Sequence, residues 1–147
     1  MCGRFTLFSD RKAINQLYGI DSDLQLKPRY RITPLTNCPI VRLSHDKREL
    51  ALCHWGLIPH WVKDTKLQPI NAKAETVKAK PFFRNAFKKQ HCLIPVNGYY
   101  EWKGTKGKKQ PYYIHPVNDE LFSFAYYRKI RSVFVNLTEP FTFYTLH

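Results

Sequence analysis

MCGRFTLF, Met1 to Phe8, is the stretch from which the rest of the chain is read. Its second half, Phe5-Thr6-Leu7-Phe8, reads as a short strand that leads in from Cys2. Its first half carries the chemistry. Cys2 is small enough for the initiator methionine to be trimmed in front of it. Trimming leaves an α-amine and a thiol on neighbouring carbons. Such a 1,2-aminothiol condenses with an aldehyde to a Schiff base, and the sulfur then closes a five-membered thiazolidine. Two nucleophiles on one residue react at an effective molarity that separated groups do not reach. The α-amine is largely neutral near pH 8, so it needs little activation. Gly3 lets backbone approach closely. Arg4 can lower the thiol pKa or hold a phosphate. The bland alternative is that Cys2 is an early cysteine acting as a small hydrophobe.

Working outward, Ser9 or Asp10 caps a helix through about Tyr18, with Ile14, Leu17 and Tyr18 on one face and Gly19 ending it. Asp21 to Pro28 is a loop, and Tyr30 to Thr33 a strand stopped by Pro34. Cys38–Leu43 and Leu50–Ile58 form a hairpin turned at His45-Asp46-Lys47. Pro59 to Pro69 is a loop carrying His60, Trp61 and Lys63. Ile70 to Thr76 starts polar and runs into a helical stretch to Lys80. Pro81 interrupts it, and Phe82–Lys89 is a second helix with Arg84, Lys88 and Lys89 outward. Cys92 to Trp102 is a strand broken at Pro95–Gly98, followed by a basic turn, Gly104–Lys109. Pro111–His115, Leu121–Tyr127, Ser132–Leu137 and Phe141–Leu146 complete a strand-rich second half. The expected architecture is α+β, a mainly antiparallel sheet curled toward a barrel, with a few short helices.

With 147 residues, 44% hydrophobic and 15% aromatic, the chain is long and apolar enough for one core, read as a single domain 1–147. Lys and Arg number 24 against 11 Asp and Glu, a formal charge of +13. That excess favours a polyanionic partner, usually nucleic acid; a solvated basic surface is the alternative, which charge alone does not exclude. Cys2, Cys38, Cys53 and Cys92 show no C-x-x-C spacing, so neither a zinc site nor a redox motif is indicated. No signal-peptide core or membrane-length apolar run is present, which points to free thiols in a reducing cytoplasm.

Several polar residues each carry two readings. Glu101, between Tyr100 and Trp102, either faces outward by strand alternation or sits in an apolar pocket as a general acid or base. Asn71 either caps the helical stretch or hydrogen-bonds a sugar hydroxyl and orients Cys2. Trp61 is either packed or a stacking wedge for bases. Lys73 is either solvated or a phosphate contact. Glu75 is a helix-surface or first-turn carboxylate. The histidines have no recognisable partner by spacing.

Taken together, MCGRFTL, YRITP (Tyr30–Pro34), HWGLIPHW (His54–Trp61), INAKAET (Ile70–Thr76), GYYEWK (Gly98–Lys103) and KKQPYYI (Lys108–Ile114) resemble the SRAP family, the SOS-response-associated peptidase-like proteins that shield abasic sites in DNA. The resemblance implies a protein that binds single-stranded DNA and crosslinks Cys2 to the aldehyde of an abasic deoxyribose as a thiazolidine. It implies sugar and Cys2 positioning for Asn71 and proton transfer for Glu101. It places Arg4, Trp61, Lys73 and Arg84 on the DNA-binding surface. Lys73 stands where the family more often has Arg, which loses the bidentate fork. The same Cys2 is implied to remove Met1 autocatalytically. Family members also carry a His-x-Arg-Met-Pro-type segment whose histidine belongs to the active site. Residues 1–147 lack it, and His147 takes no role from it, so a shortened or divergent tail is expected.

The reading that follows is an abasic-site crosslinking protein with autoproteolytic and lyase-like chemistry. It needs no cofactor or metal and acts as a monomer in the cytoplasm, at the nucleoid in a bacterium, with no membrane partner. Its rivals are a thiol peptidase acting on itself or on peptides, and a non-catalytic remnant that binds nucleic acid reversibly through charge.

Overall fold

Phe5, Thr6 and Leu7 form β1 (Phe5–Leu7), a strand between two partners, and all three are buried, at 0, 1 and 3% exposure: Phe5 and Leu7 in the main core, Thr6 beneath Tyr113. The computed structural model describes residues 3–58, 61, 66, 68–89, 91–118, 120–127, 133–135 and 142–145. After β1 the chain forms α1 (Arg11–Tyr18), β2 (Arg29–Ile32), β3 (Asn37–Ser44), β4 (Lys47–His54), β5 (Asn71–Ala72), α2 (Ala74–Val77) and α3 (Pro81–Lys89). It continues as β6 (His91–Val96), β7 (Gly98–Thr105), β8 (Lys108–His115), β9 (Phe122–Tyr127), β10 (Val133–Val135) and β11 (Thr142–Thr145).

The α+β class holds, with mainly antiparallel strands and short helices. The strands divide between two sheets, ordered β11-β8-β7-β1-β2 and β4-β3-β6-β9-β10-β5. No pairing among the described residues closes either sheet into a barrel. The sole parallel pair among them is β5 with β10.

Local chemistry accounts for the boundaries. The Asp10 carboxylate accepts from the Ala13 N–H at 2.8 Å, and Gly19 closes α1 in the left-handed conformation at φ 60°. α1 buries Ile14 and Tyr18, but Leu17, expected on the same face, is 50% exposed. Three residues on from Ile14, it falls at the margin of the apolar stripe. His45 (φ 47°) and Asp46 (φ 60°) make the two-residue left-handed turn that right-twisted strands favour. The hairpin ladder therefore starts at Ser44 opposite Lys47, earlier than expected. Pro81 opens α3 rather than merely interrupting a helix, since the first helical position needs no N–H. The basic turn narrows to Lys106–Gly107, because Thr105 already pairs with Lys108.

The expected break at Pro95–Gly98 is a change of sheet at one residue, Asn97. β6 ends in one sheet and β7 begins in the other. The Asn97 N–H donates to the Thr6 carbonyl at 3.0 Å. Its Oδ1 accepts from the Phe8 and Ser9 N–H groups at 2.9 and 3.0 Å, and its Nδ2 donates to Ser9 Oγ at 2.7 Å. The 3% exposed asparagine thus ties the crossover to the end of β1. Phe5, Ile14, Ile32, Ile40, Trp55, Ile94, Val96 and Phe124 belong to the main core, and Leu57, Val77, Phe83 and Ala86 form a second one beneath α2 and α3. No helix among the described residues is long and apolar enough to cross a membrane.

Candidate functional site

Cys2 lies outside the described residues, so the site is built from the residues that follow it. β1 pairs antiparallel with β7, Phe5 facing Tyr99 and Thr6 facing Gly98. The pattern continues outward, with the Tyr100 N–H donating to the Arg4 carbonyl at 2.9 Å. The Arg4 guanidinium lies over the Trp102 ring, 5.1 Å from its centroid, a cation–π contact that fixes an otherwise mobile side chain. Gly98 permits this geometry. The Tyr113 ring covers it so closely that a Cβ there would fall 2.4 Å from the phenol carbon, and Tyr113 Oη lies 2.8 Å from Thr6 Oγ1.

Glu101 sits one residue beyond Tyr100 and faces Tyr112 across the ladder. It is half-buried and lines a cleft of about 350 Å³ with Trp102, Lys103, Tyr112 and Ile114. By two-residue alternation it shares a face with Tyr99, which packs on Phe124 in the core at 5.5 Å. It is therefore on the inward-facing side of its sheet, at the margin of the core, and the plain outward-facing reading does not hold.

The second group of candidates surrounds the smaller core. Asn71 opens β5, with Phe134 as its partner in β10. The cap position falls instead on Lys73, which makes no side-chain capping bond, and α2 begins at Ala74, three residues after Asn71. Lys73 is exposed, as is Glu75 in the first turn of α2. Trp61 is 53% exposed and meets Phe82 edge-on at 5.6 Å, so it is packed on one edge and open on the other. Arg84 and Lys88 point outward from α3, as expected; the Lys89 side chain, His60, Lys63 and His147 lie outside the described residues.

Trp55 connects the two groups, a role that the sequence does not disclose. It is fully buried, its ring is 5.7 Å from Phe5 of β1, and its Nε1 donates to the Ile70 carbonyl at 2.8 Å. One side chain therefore links the strand behind Arg4 to the residue preceding Asn71. Trp55 and Trp102 both lie within motifs that carry the family resemblance, HWGLIPHW and GYYEWK, whereas the crossover asparagine, Asn97, carries no local signal.

The described cysteines do not compete as nucleophiles. Cys38, Cys53 and Cys92 are buried, and none of the three is in a disulfide. Burial pushes the Cys38 thiol up to about 12, with the nearby Cys53 adding to it and Arg29 opposing; burial raises Cys92 as well. Among the described residues no cluster of three His, Cys, Asp or Glu side chains could hold a metal ion.

Residues 1–133 match the family described as SOS response associated peptidase (SRAP). A protein named abasic site processing protein YoqW, from Bacillus subtilis (strain 168), is 40% identical over 131 residues, covering 85% of this chain and 58% of its own length. Abasic site processing protein YobE of the same organism is 37% identical over 153 residues, covering 99% of this chain and 70% of its own length. Abasic site processing protein HMCES of Xenopus tropicalis is 34% identical over 109 residues, covering 65% of this chain and 32% of its own length. A crystal structure of a protein from Bacteroides thetaiotaomicron superposes with a TM-score of 0.77 at 30% identity, covering 91% of this chain and 66% of that one. A phage-related protein of Bordetella bronchiseptica gives 0.75 at 30% identity, covering 91% and 68%. The chain thus spans 58% of the length of YoqW, and over nine-tenths of its own length it belongs to the SRAP family.

Proposed function

We propose that this chain engages single-stranded DNA at an abasic site and forms a covalent thiazolidine with it through Cys2, after loss of Met1. The supporting observation is the Tyr100–Arg4 backbone bond. It extends the β1–β7 pairing past Phe5 to Arg4, whose partner Tyr100 is the neighbour of Glu101 and its cleft. The names of the relatives, abasic site processing proteins, support the same substrate.

The chemistry balances without a cofactor. The Cys2 α-amine adds to the C1′ aldehyde of the ring-opened deoxyribose, and the carbinolamine loses water to give an imine. The sulfur then bonds to C1′, and the thiol proton ends on the imine nitrogen. Water is the sole product released. Glu101 is the proton carrier in this scheme, delivering a proton to the departing hydroxyl and taking one from the attacking amine. Asn71 holds the sugar and the N-terminal residue. Arg4, Lys73 and Arg84 meet phosphates, and Trp61 offers its open edge to a base. The protein acts as a soluble monomer.

The test is a single-stranded oligonucleotide carrying one uracil, treated with uracil glycosylase. A heat-stable shifted band is expected, and intact mass should show both the loss of Met1 and the adduct. Absence of the band, or an equal band from Cys2→Ala, would refute the reading. Thiol peptidase activity would instead show as Met1 removal that depends on both Cys2 and Glu101. Binding that is reversible and indifferent to Cys2 would leave a charge-only DNA binder.

A further inference from the structure

The β7–β8 hairpin outruns its neighbours. β1 accompanies β7 as far as the Tyr100–Arg4 bond, and β11 accompanies β8 over Tyr112–His115. Beyond them residues 102–111 continue as a two-stranded ladder, Trp102 facing Pro111, Lys103 facing Gln110, Gly104 facing Lys109 and Thr105 facing Lys108. Among the described residues no third strand flanks 103–110. Residues 102–110 are all exposed. The arm is built to stand: Gly107 turns it at φ 85°, and Gly104, at φ 125°, lets the strands approach where a Cβ would meet the Lys108 carbonyl oxygen at 2.3 Å.

Its charge is one-sided. Lys103, Lys106, Lys108 and Lys109 fall within ten residues that hold no Asp or Glu. Lysines do blunt bare strand edges against aggregation. That role would be served equally by mixed charge and has no preferred face. Here alternation sets Lys103 and Lys108 on the face of Glu101 and Tyr112, which walls the cleft, and Lys103 itself lines that cleft. On the other face Lys109 follows Trp102, which carries Arg4. From Glu101 to Thr105 the arm extends about 13 Å, room for a few backbone phosphates.

We infer that the arm is a sequence-independent phosphate grip, which holds the DNA strand leading to the Glu101 cleft through Lys103 and Lys108. The inference rests on the proposed function for the identity of the ligand. Its test does not need the Cys2 reaction, because an intact oligonucleotide suffices.

Anisotropy titrations of a labelled, undamaged single strand are run from about 50 to 200 mM salt, where each lost lysine–phosphate contact lowers the log–log slope by about 0.7. Lys103→Gln/Lys108→Gln is expected to lower the slope by about 1.4 and to weaken low-salt binding about tenfold. Lys103→Arg/Lys108→Arg should keep the wild-type slope. A remote control, Lys12→Gln/Lys47→Gln, removes the same charge from α1 and β4 and should leave slope and crosslinking alone. The inference is overturned if the arm variant keeps the wild-type slope, if the control lowers it equally, or if the wild type does not bind the intact strand. If the wild type binds the intact strand but forms no crosslink on the abasic one, the Cys2 reading fails while the slopes still decide the arm.

Discussion

Trp55→Phe is the substitution that should report how the two halves of the site are joined. The indole is fully buried, touches Phe5 at 5.7 Å between centroids, and donates to the Ile70 carbonyl at 2.8 Å. Phenylalanine keeps the aromatic contact and loses the donor. The stranded, part-buried carbonyl costs about 1–3 kcal/mol, and the missing ring volume adds about 1 kcal/mol of cavity. The sum, about 2–4 kcal/mol, is a large share of a typical 5–15 kcal/mol domain stability. At about 2–4 °C per kcal/mol for a chain of this size, the melting midpoint should drop by roughly 5–15 °C. Calorimetry measures that directly. Trp61→Phe is the contrast, because Trp61 is 53% exposed and should move the midpoint little. The functional readout is crosslinking at a temperature where the variant remains folded. Loosening Ile70 displaces Asn71 relative to β1, so the rate at saturating abasic DNA should drop while reversible binding of an intact strand persists. A midpoint within 1 °C of wild type would refute the claim that this bond holds Ile70. A normal midpoint together with slower crosslinking would assign Trp55 a different role.

Three further outcomes follow from the geometry. Asn97→Ala strands the Phe8 and Ser9 amides and frees the Ser9 hydroxyl, and should cost about 2–4 kcal/mol in urea unfolding, with Asn97→Asp, which keeps the acceptor, costing less. Gly98→Ala drives a Cβ into the Tyr113 ring and should cost about 1–3 kcal/mol; a double-mutant cycle with Tyr113→Leu should show positive coupling between the two positions. The Cys38 thiol is held near 12 when folded against its ordinary 9.0, so the folded state retains its proton while the unfolded chain loses it. The stabilisation is whole below about pH 9 and fades as pH rises toward 12, by up to about 1.4 kcal/mol per pH unit. Chemical unfolding at several alkaline pH values should show that slope, flattened in Cys38→Ala, and native Cys38 should resist alkylation at pH 8.

What the sequence revealed and what it withheld divide along physical lines. Asp10, Gly19 and the His45-Asp46 turn were legible because each acts on backbone within a few residues, so its effect is written locally. Asn71 reads from the sequence either as a cap or as a site residue, for the opposite reason. Its strand exists because β10, more than sixty residues on, lies beside it, and no local pattern records that partner. The same holds for the division into two sheets: strand alternation distinguishes the faces of a strand but not which strand lies next to it, and a crossover at one asparagine looks from sequence like an ordinary break. Glu101 shows where the two kinds of information meet. Its position between two aromatics allowed either face, and only the contact of Tyr99 with Phe124 fixes the face it shares. For the proton-carrying role proposed for it, that distinction matters, because the shared face puts the carboxylate in the cleft beside Ile114 and Tyr112. The motif supplied the residue, but the long-range packing supplied the surroundings that make it useful, so Glu101→Gln should slow crosslinking more than it weakens binding, and equal losses in both would return Glu101 to the role of a strand-surface charge.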